Sequence, residues 1–127
     1  MEGYPPDRKF YLNADMRPIP RETVEAFLDF CRTHGIFVVF NIAPVWRGSE
    51  QYYCEKYLAY FDELNARPDC MVIHTPNFDS IDPNCEDESC LFDNGHMTEY
   101  GATVYTNWLV DQMLNSAKIR ECLKASQ

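Results

Sequence analysis

Gly35-Ile36-Phe37-Val38-Val39-Phe40-Asn41-Ile42-Ala43-Pro44 is the stretch on which the fold turns. Its apolar, β-branched and aromatic residues run on without the alternation of a half-solvated strand. Such a run predicts a strand over residues 36–42 with both faces covered, as inside a parallel sheet, and Pro44 stops it. The glycine in front closes a helix that begins after Pro20. Val24, Phe27, Leu28 and Cys31 recur at three- and four-residue spacing along it. Arg32 and His34 stand in its last turn, where the helix dipole favours cations, and Gly35 supplies the left-handed cap.

The same logic extends towards the C-terminus. A second helix is expected from Ser49, its N-cap, to about Asn65, with Tyr53, Tyr57, Phe61 and Leu64 on its buried face. Arg67-Pro68-Asp69 ends it and leads into a second strand, Cys70-Met71-Val72-Ile73-His74-Thr75, stopped by Pro76. Residues 77–94 read as a long acidic loop without periodicity, a length uncommon in compact domains unless functional. The last helix is expected over 98–116, striped by Val104, Trp108, Leu109 and Met113. Residues 117–127 read as a frayed tail. The first twenty residues read as irregular, with Phe10-Tyr11-Leu12 either a short edge strand or a segment laid over the core. Helix, strand, helix, strand, loop, helix is α/β order. The expectation is one domain over 1–127, a flavodoxin-like three-layer arrangement whose parallel sheet is short and incomplete. Doubly wound folds carry about five or six strands, and two or three are visible here.

Composition narrows the function. A hydrophobic content of 46% is enough to build a core. Eleven Lys and Arg against twenty Asp and Glu give a formal charge of −9, and no basic stripe exists. Nucleic acid and anionic membranes are therefore not expected partners. Neither a signal peptide nor an apolar run of bilayer length is visible, so the expected location is cytoplasmic, or extracytoplasmic if the chain belongs to a longer precursor. Cys31, Cys54 and Cys70 read as small buried hydrophobes. Cys85 and Cys90 lie in the acidic loop; two free thiols are expected ahead of a disulfide, and a zinc site ranks third.

Chemistry concentrates in Phe92-Asp93-Asn94-Gly95-His96-Met97-Thr98-Glu99-Tyr100-Gly101-Ala102. An aspartate three residues before a histidine, in a tight turn entering a helix, lets the carboxylate reach Nδ1 of the imidazole. That contact fixes the tautomer and leaves Nε2 to take up a proton. The competing structural reading has Asp93 capping the turn and His96 packed under Tyr100. Ser49 is a weak nucleophile candidate, better explained as a helix N-cap. Ser80 and Ser89 lack a strand-to-helix elbow, and Asn41 is expected to satisfy neighbouring backbone groups. A metal cluster of His74, Asp79, Asp82 and His96 is disfavoured, with His74 expected to be hydrogen-bonded at its strand end. Glu86-Asp87-Glu88 reads as a solvated run without the ligand alternation of an EF-hand. Neither a metal nor another cofactor is expected.

Residues 91–102 resemble the last conserved block of the SGNH/GDSL hydrolase superfamily, above all the form found in acetyltransferase-type relatives, with Met97 at the usual leucine position. The order of elements over residues 21–114 is similar as well. The resemblance implies a Ser-His-Asp triad with His96 as base and Asp93 as its orienting partner. It also implies ester hydrolysis or O-acyl transfer on an acylated carbohydrate or lipid. The chain departs from the pattern in having no Gly-Asp-Ser turn. The serine and the glycine and asparagine oxyanion donors would all lie upstream of Met1, so the expectation is a partial domain inactive alone. The rival expectation is a non-catalytic binding or assembly module that completes its sheet by homo-oligomerisation, since open strand edges are a liability.

Overall fold

The computed structural model describes residues 20–47, 55–93 and 95–126. Helix α1 spans Arg21–Thr33 and strand β1 spans Val38–Ile42. They are followed by helix α2 (Glu55–Asn65) and strand β2 (Cys70–His74). A single 3-10 turn (Phe78–Ser80) and a short helix α3 (Asp87–Cys90) precede the long helix α4 (Glu99–Asn115) and helix α5 (Ala117–Ala125). The start of the expected second helix, with Ser49 and Tyr53, lies outside the described residues, as do Cys54 and the Phe10-Tyr11-Leu12 patch.

The α1–β1 junction forms as its sequence dictates. Gly35 adopts φ 68°, a left-handed conformation that costs a glycine nothing. Its N–H donates to the Arg32 carbonyl at 3.2 Å, and the Ile36 N–H donates to the Cys31 carbonyl at 2.8 Å. This Schellman pair satisfies two terminal carbonyls and turns the chain into β1.

Strands β1 and β2 pair in parallel, in register from Val38 opposite Cys70 to Ile42 opposite His74. One face of this two-stranded sheet carries Val38, Phe40 and Ile42 beside Cys70 and Val72, packed on Leu28 of α1 and on Tyr60 and Leu64 of α2. The opposite face meets α4 and the start of α5. The Tyr105 hydroxyl donates to Asn41 Oδ1, and Ser116 Oγ lies 3.5 Å from Met71 Sδ. Helices thus lie on both faces, giving a mixed α/β architecture with a parallel sheet of two strands among the described residues.

Three expectations change at the level of packing. β1 is only half-buried, with Asn41 exposed, because the sheet beside it is narrow. Phe27, counted on the apolar face of α1, is half-exposed, and Leu28 and Cys31 carry that helix's burial. On α2 the deepest ring is Tyr60, which the spacing of Tyr57, Phe61 and Leu64 passes over.

The two outer sheet edges differ. Val38 N–H points at β2, donating to the Asp69 carbonyl at 3.4 Å. Strand alternation therefore turns the backbone of Val39 and Asn41 outward, where it has no partner among the described residues. On β2 the outward groups are those of Cys70 and Val72, and side chains cover them. Val72 N–H donates to Asn65 Oδ1 at 3.1 Å, and Lys118 Nζ donates to the Cys70 carbonyl at 3.1 Å.

The stretch 77–94, read as a long loop, contains the 3-10 turn, α3 and a second core. Phe78, Cys85, Cys90 and Leu91 are buried with Tyr105, and Trp46, Met97 and Trp108 pack around them. The expected free thiols are instead bonded: Cys85 and Cys90 form a disulfide inside this core. The segment has no repeat because its apolar residues face inward one at a time from irregular backbone. Residues 117–125 are helical where a frayed tail is expected. Ser116 caps α5, its Oγ accepting from Ile119 N–H at 3.4 Å. Lys118 Nζ donates to the carbonyls of Asn65, Arg67 and Cys70, so the tail is pinned to the end of α2.

Candidate functional site

The carboxyl ends of the two strands converge. Val45 N–H donates to the Pro76 carbonyl at 3.2 Å, joining the segments that follow β1 and β2. Ala43 and Trp46 from the first segment, Phe78 and Ile81 from the second, and Leu91 and Met97 around the Asp-His turn share the second core. Three loops thus meet beyond the carboxyl ends of the strands, where open α/β sheets bind their ligands.

The turn itself is hung on this core. Leu91 and Met97 form an isolated antiparallel bridge, and Phe92 N–H donates to the His96 carbonyl at 2.8 Å. Between them, Asp93 Oδ1 accepts the N–H groups of Gly95 at 3.0 Å and His96 at 2.9 Å. His96 Nδ1 lies 2.9 Å from Oδ1 and 2.8 Å from Oδ2 of the same carboxylate. Asp93 is held below the usual carboxylate range chiefly by the Gly95 and His96 amides; burial opposes them, and the imidazole adds a lesser contribution in their favour. The aspartate therefore does both things the sequence offered as alternatives: it caps the turn and it orients the ring. The His96 side chain is 83% exposed, so it does not pack under Tyr100. With Nδ1 engaged, the open ring directs Nε2 to solvent, the geometry an acid–base imidazole needs.

Below the turn, Thr98 starts α4. Its Oγ1 accepts from Gly101 N–H at 3.0 Å and donates to the Ser89 carbonyl at 2.6 Å, while Thr98 N–H donates to the Cys90 carbonyl at 3.0 Å. Gly101 lies so close to Cys90 that a Cβ there would sit 2.8 Å from Cys90 Cα. Gly101 is therefore required for contact between α4 and α3.

No protein-family model, curated protein or solved structure matches this chain. The site accordingly rests on its own geometry.

The other candidate residues separate. Ser49 lies outside the described residues. Ser80 Oγ donates to Asn77 Oδ1 at 3.2 Å on the 3-10 turn, and the Ser89 carbonyl supports Thr98. Asn41 receives a tyrosine hydroxyl rather than the backbone groups expected for it. His74 tilts against Phe61 with centroids 5.9 Å apart, and burial lowers its pKa, so the neutral imidazole is favoured. Asp79 faces Arg47 at 3.6 Å instead of an imidazole. Among the described residues, no three His, Cys, Asp or Glu side chains are grouped so as to hold a metal ion.

One residue of this region escapes the sequence reading. Asp87, read as part of a solvated acidic run, is buried. Its Oδ2 accepts Arg47 N–H at 2.8 Å and lies 3.8 Å from Arg47 Nε. It ties the segment after β1 to α3. Its neighbours Glu86 and Glu88 are exposed, and nothing in the triplet singles out the middle acid.

Proposed function

We propose that the chain carries the acid–base half of a serine esterase or O-acyltransferase site in a partial SGNH-like, flavodoxin-related domain. His96 is the base and Asp93 its orienting partner; the nucleophile is supplied from outside the described residues. The observation that carries this reading is the carboxylate held 2.8 Å from Nδ1 of a ring that is 83% open to solvent. A base so placed takes the proton of an attacking hydroxyl and returns it to a leaving alcohol. The resemblance of residues 91–102 to the Asp-x-x-His block supports an acylated carbohydrate or lipid as substrate.

Turnover of a short-chain p-nitrophenyl ester tests the reading. The chain alone is expected to show no significant activity. A longer form with a Gly-Asp-Ser segment ahead of Met1 is expected to turn over and to lose activity with His96→Ala. Activity in that form indifferent to His96→Ala would end the reading. Clear activity of the chain alone, lost with His96→Ala, would show that the nucleophile lies within it, and Ser49→Ala would then identify it.

The second reading is assembly through the sheet, favoured by the outward backbone of Val39 and Asn41 on β1. A second copy adding its β1 would cover that edge. Light scattering is expected to give a dimer that Val39→Pro, lacking the outward N–H, converts to monomer. A monomer at micromolar concentration would dispose of this second reading.

A further inference from the structure

We propose that the Cys85–Cys90 disulfide is the positioning element of the Asp93–His96 turn, so that the pair keeps its geometry only while those cysteines are oxidised. Its significance for catalysis rests on the esterase reading; the structural coupling does not. Both cysteines are buried in the second core. Cys90 ends α3, a helix of four residues that is too short to hold itself together in water. The bridge closes the chain across this helix, back to Cys85, whose N–H donates to the Asp82 carbonyl at 2.9 Å.

Apart from the bonds within the turn itself, its supports among the described residues are attached to this clasped segment and the residue that follows it. The Cys90 carbonyl receives Thr98 N–H, the Ser89 carbonyl receives Thr98 Oγ1, and Leu91 bridges Met97. The two stems of the turn, 91–92 and 96–97, thus leave directly from the disulfide-bonded helix and from the residue that caps α4. Asp93 and His96 themselves are on the rim, where among the described residues their side chains bond only within the turn: the carboxylate to the Gly95 and His96 amides and to the His96 ring. Their placement is inherited from the clasp beneath. Reduction by a dithiol passes two electrons and two protons to the bridge, leaving two cysteine thiols while the dithiol departs as a cyclic disulfide. The α3 segment then loses its covalent closure, and the turn loses its base.

The test is amide hydrogen exchange on the whole chain, air-oxidised and then treated with dithiothreitol, with alkylation and mass measurement to count thiols. Oxidised protein is expected to show Cys85 and Cys90 protected from alkylation. On reduction the amides of Gly95, His96 and Thr98 are expected to exchange faster by on the order of tenfold or more, with α1 amides unchanged. Cys85→Ser with Cys90→Ser should reproduce the reduced pattern without reductant. Alkylation of both cysteines in the oxidised protein would overturn the proposal. So would exchange at Gly95, His96 and Thr98 that ignores reduction, or a loss of protection spread equally to α1. Since no arm reads ester turnover, failure of the esterase reading leaves this result standing, and the reverse holds as well.

Discussion

Replacing Gly101 by alanine would set a methyl group 2.7 Å from the carbonyl carbon of Cys90 and 2.8 Å from its Cα, and closer still to the carbonyl oxygen. The obstacle is backbone, so no rotamer change relieves it. The first turn of α4 must lift from α3, at an overpacking cost of about 1–3 kcal/mol. Lifting also weakens the 3.0 Å bond from Thr98 N–H to the Cys90 carbonyl, worth about 1 kcal/mol. Against this, alanine improves helix propensity over glycine by about 1 kcal/mol. The clash wins. The net expectation is a loss of about 2 kcal/mol, which for a chain of this size lowers Tm by roughly 6–10 °C. Thermal unfolding followed by circular dichroism reads this directly. Ala102→Gly, on the exposed side of the same turn, serves as a control for propensity alone and should cost about 1 kcal/mol. A Gly101→Ala protein melting at or above the parent temperature would refute the close approach of α4 and α3, because propensity alone predicts that sign.

Other expectations follow from single contacts. Tyr105→Phe removes the hydroxyl donated to Asn41 and should cost about 1 kcal/mol; in a double-mutant cycle the loss should vanish when Asn41 is already alanine. Lys118→Met withdraws the ammonium from three carbonyls and should cost about 1.5–3 kcal/mol in urea unfolding, with faster amide exchange in α5. Burial lowers the His74 pKa, so the unfolded chain binds that proton first as pH falls. Stability is therefore full above the ordinary histidine pKa of 6.5 and declines below it until folded His74 also protonates. Urea midpoints at pH 7.5 and 5.5 should differ in that direction, and less so in a His74→Phe protein. Asp93 has the same sign at lower pH, its lowered pKa giving a contribution present above the normal carboxylate range and lost on further acidification.

Local signals in the sequence carried through where the cause was local. The apolar spacing of Val24, Leu28 and Cys31 and the left-handed Gly35 produced α1 and its turn into β1. The Asp93–His96 contact was legible for the same reason, since three residues of tight turn suffice to bring carboxylate and ring together. Reading residues 77–94 as a loop failed because Phe78, Cys85, Cys90 and Leu91 are buried by partners such as Tyr105 and Trp46, distant in sequence. The same holds for Asp87, whose burial depends on Arg47, forty residues away.

By itself, then, the sequence determined the order α1, β1, α2, β2 and α4, the parallel pairing logic and the turn that joins Asp93 to His96. Each of these follows from backbone preference and side-chain reach over a few residues. Tertiary structure alone decided that β1 is half-buried, with an outer edge unpaired among the described residues, that Lys118 fastens a helical tail to α2, and that a disulfide core underlies the turn. Burial and bonding of this kind depend on which distant surfaces meet, and a periodic pattern carries no record of the neighbour that will cover it.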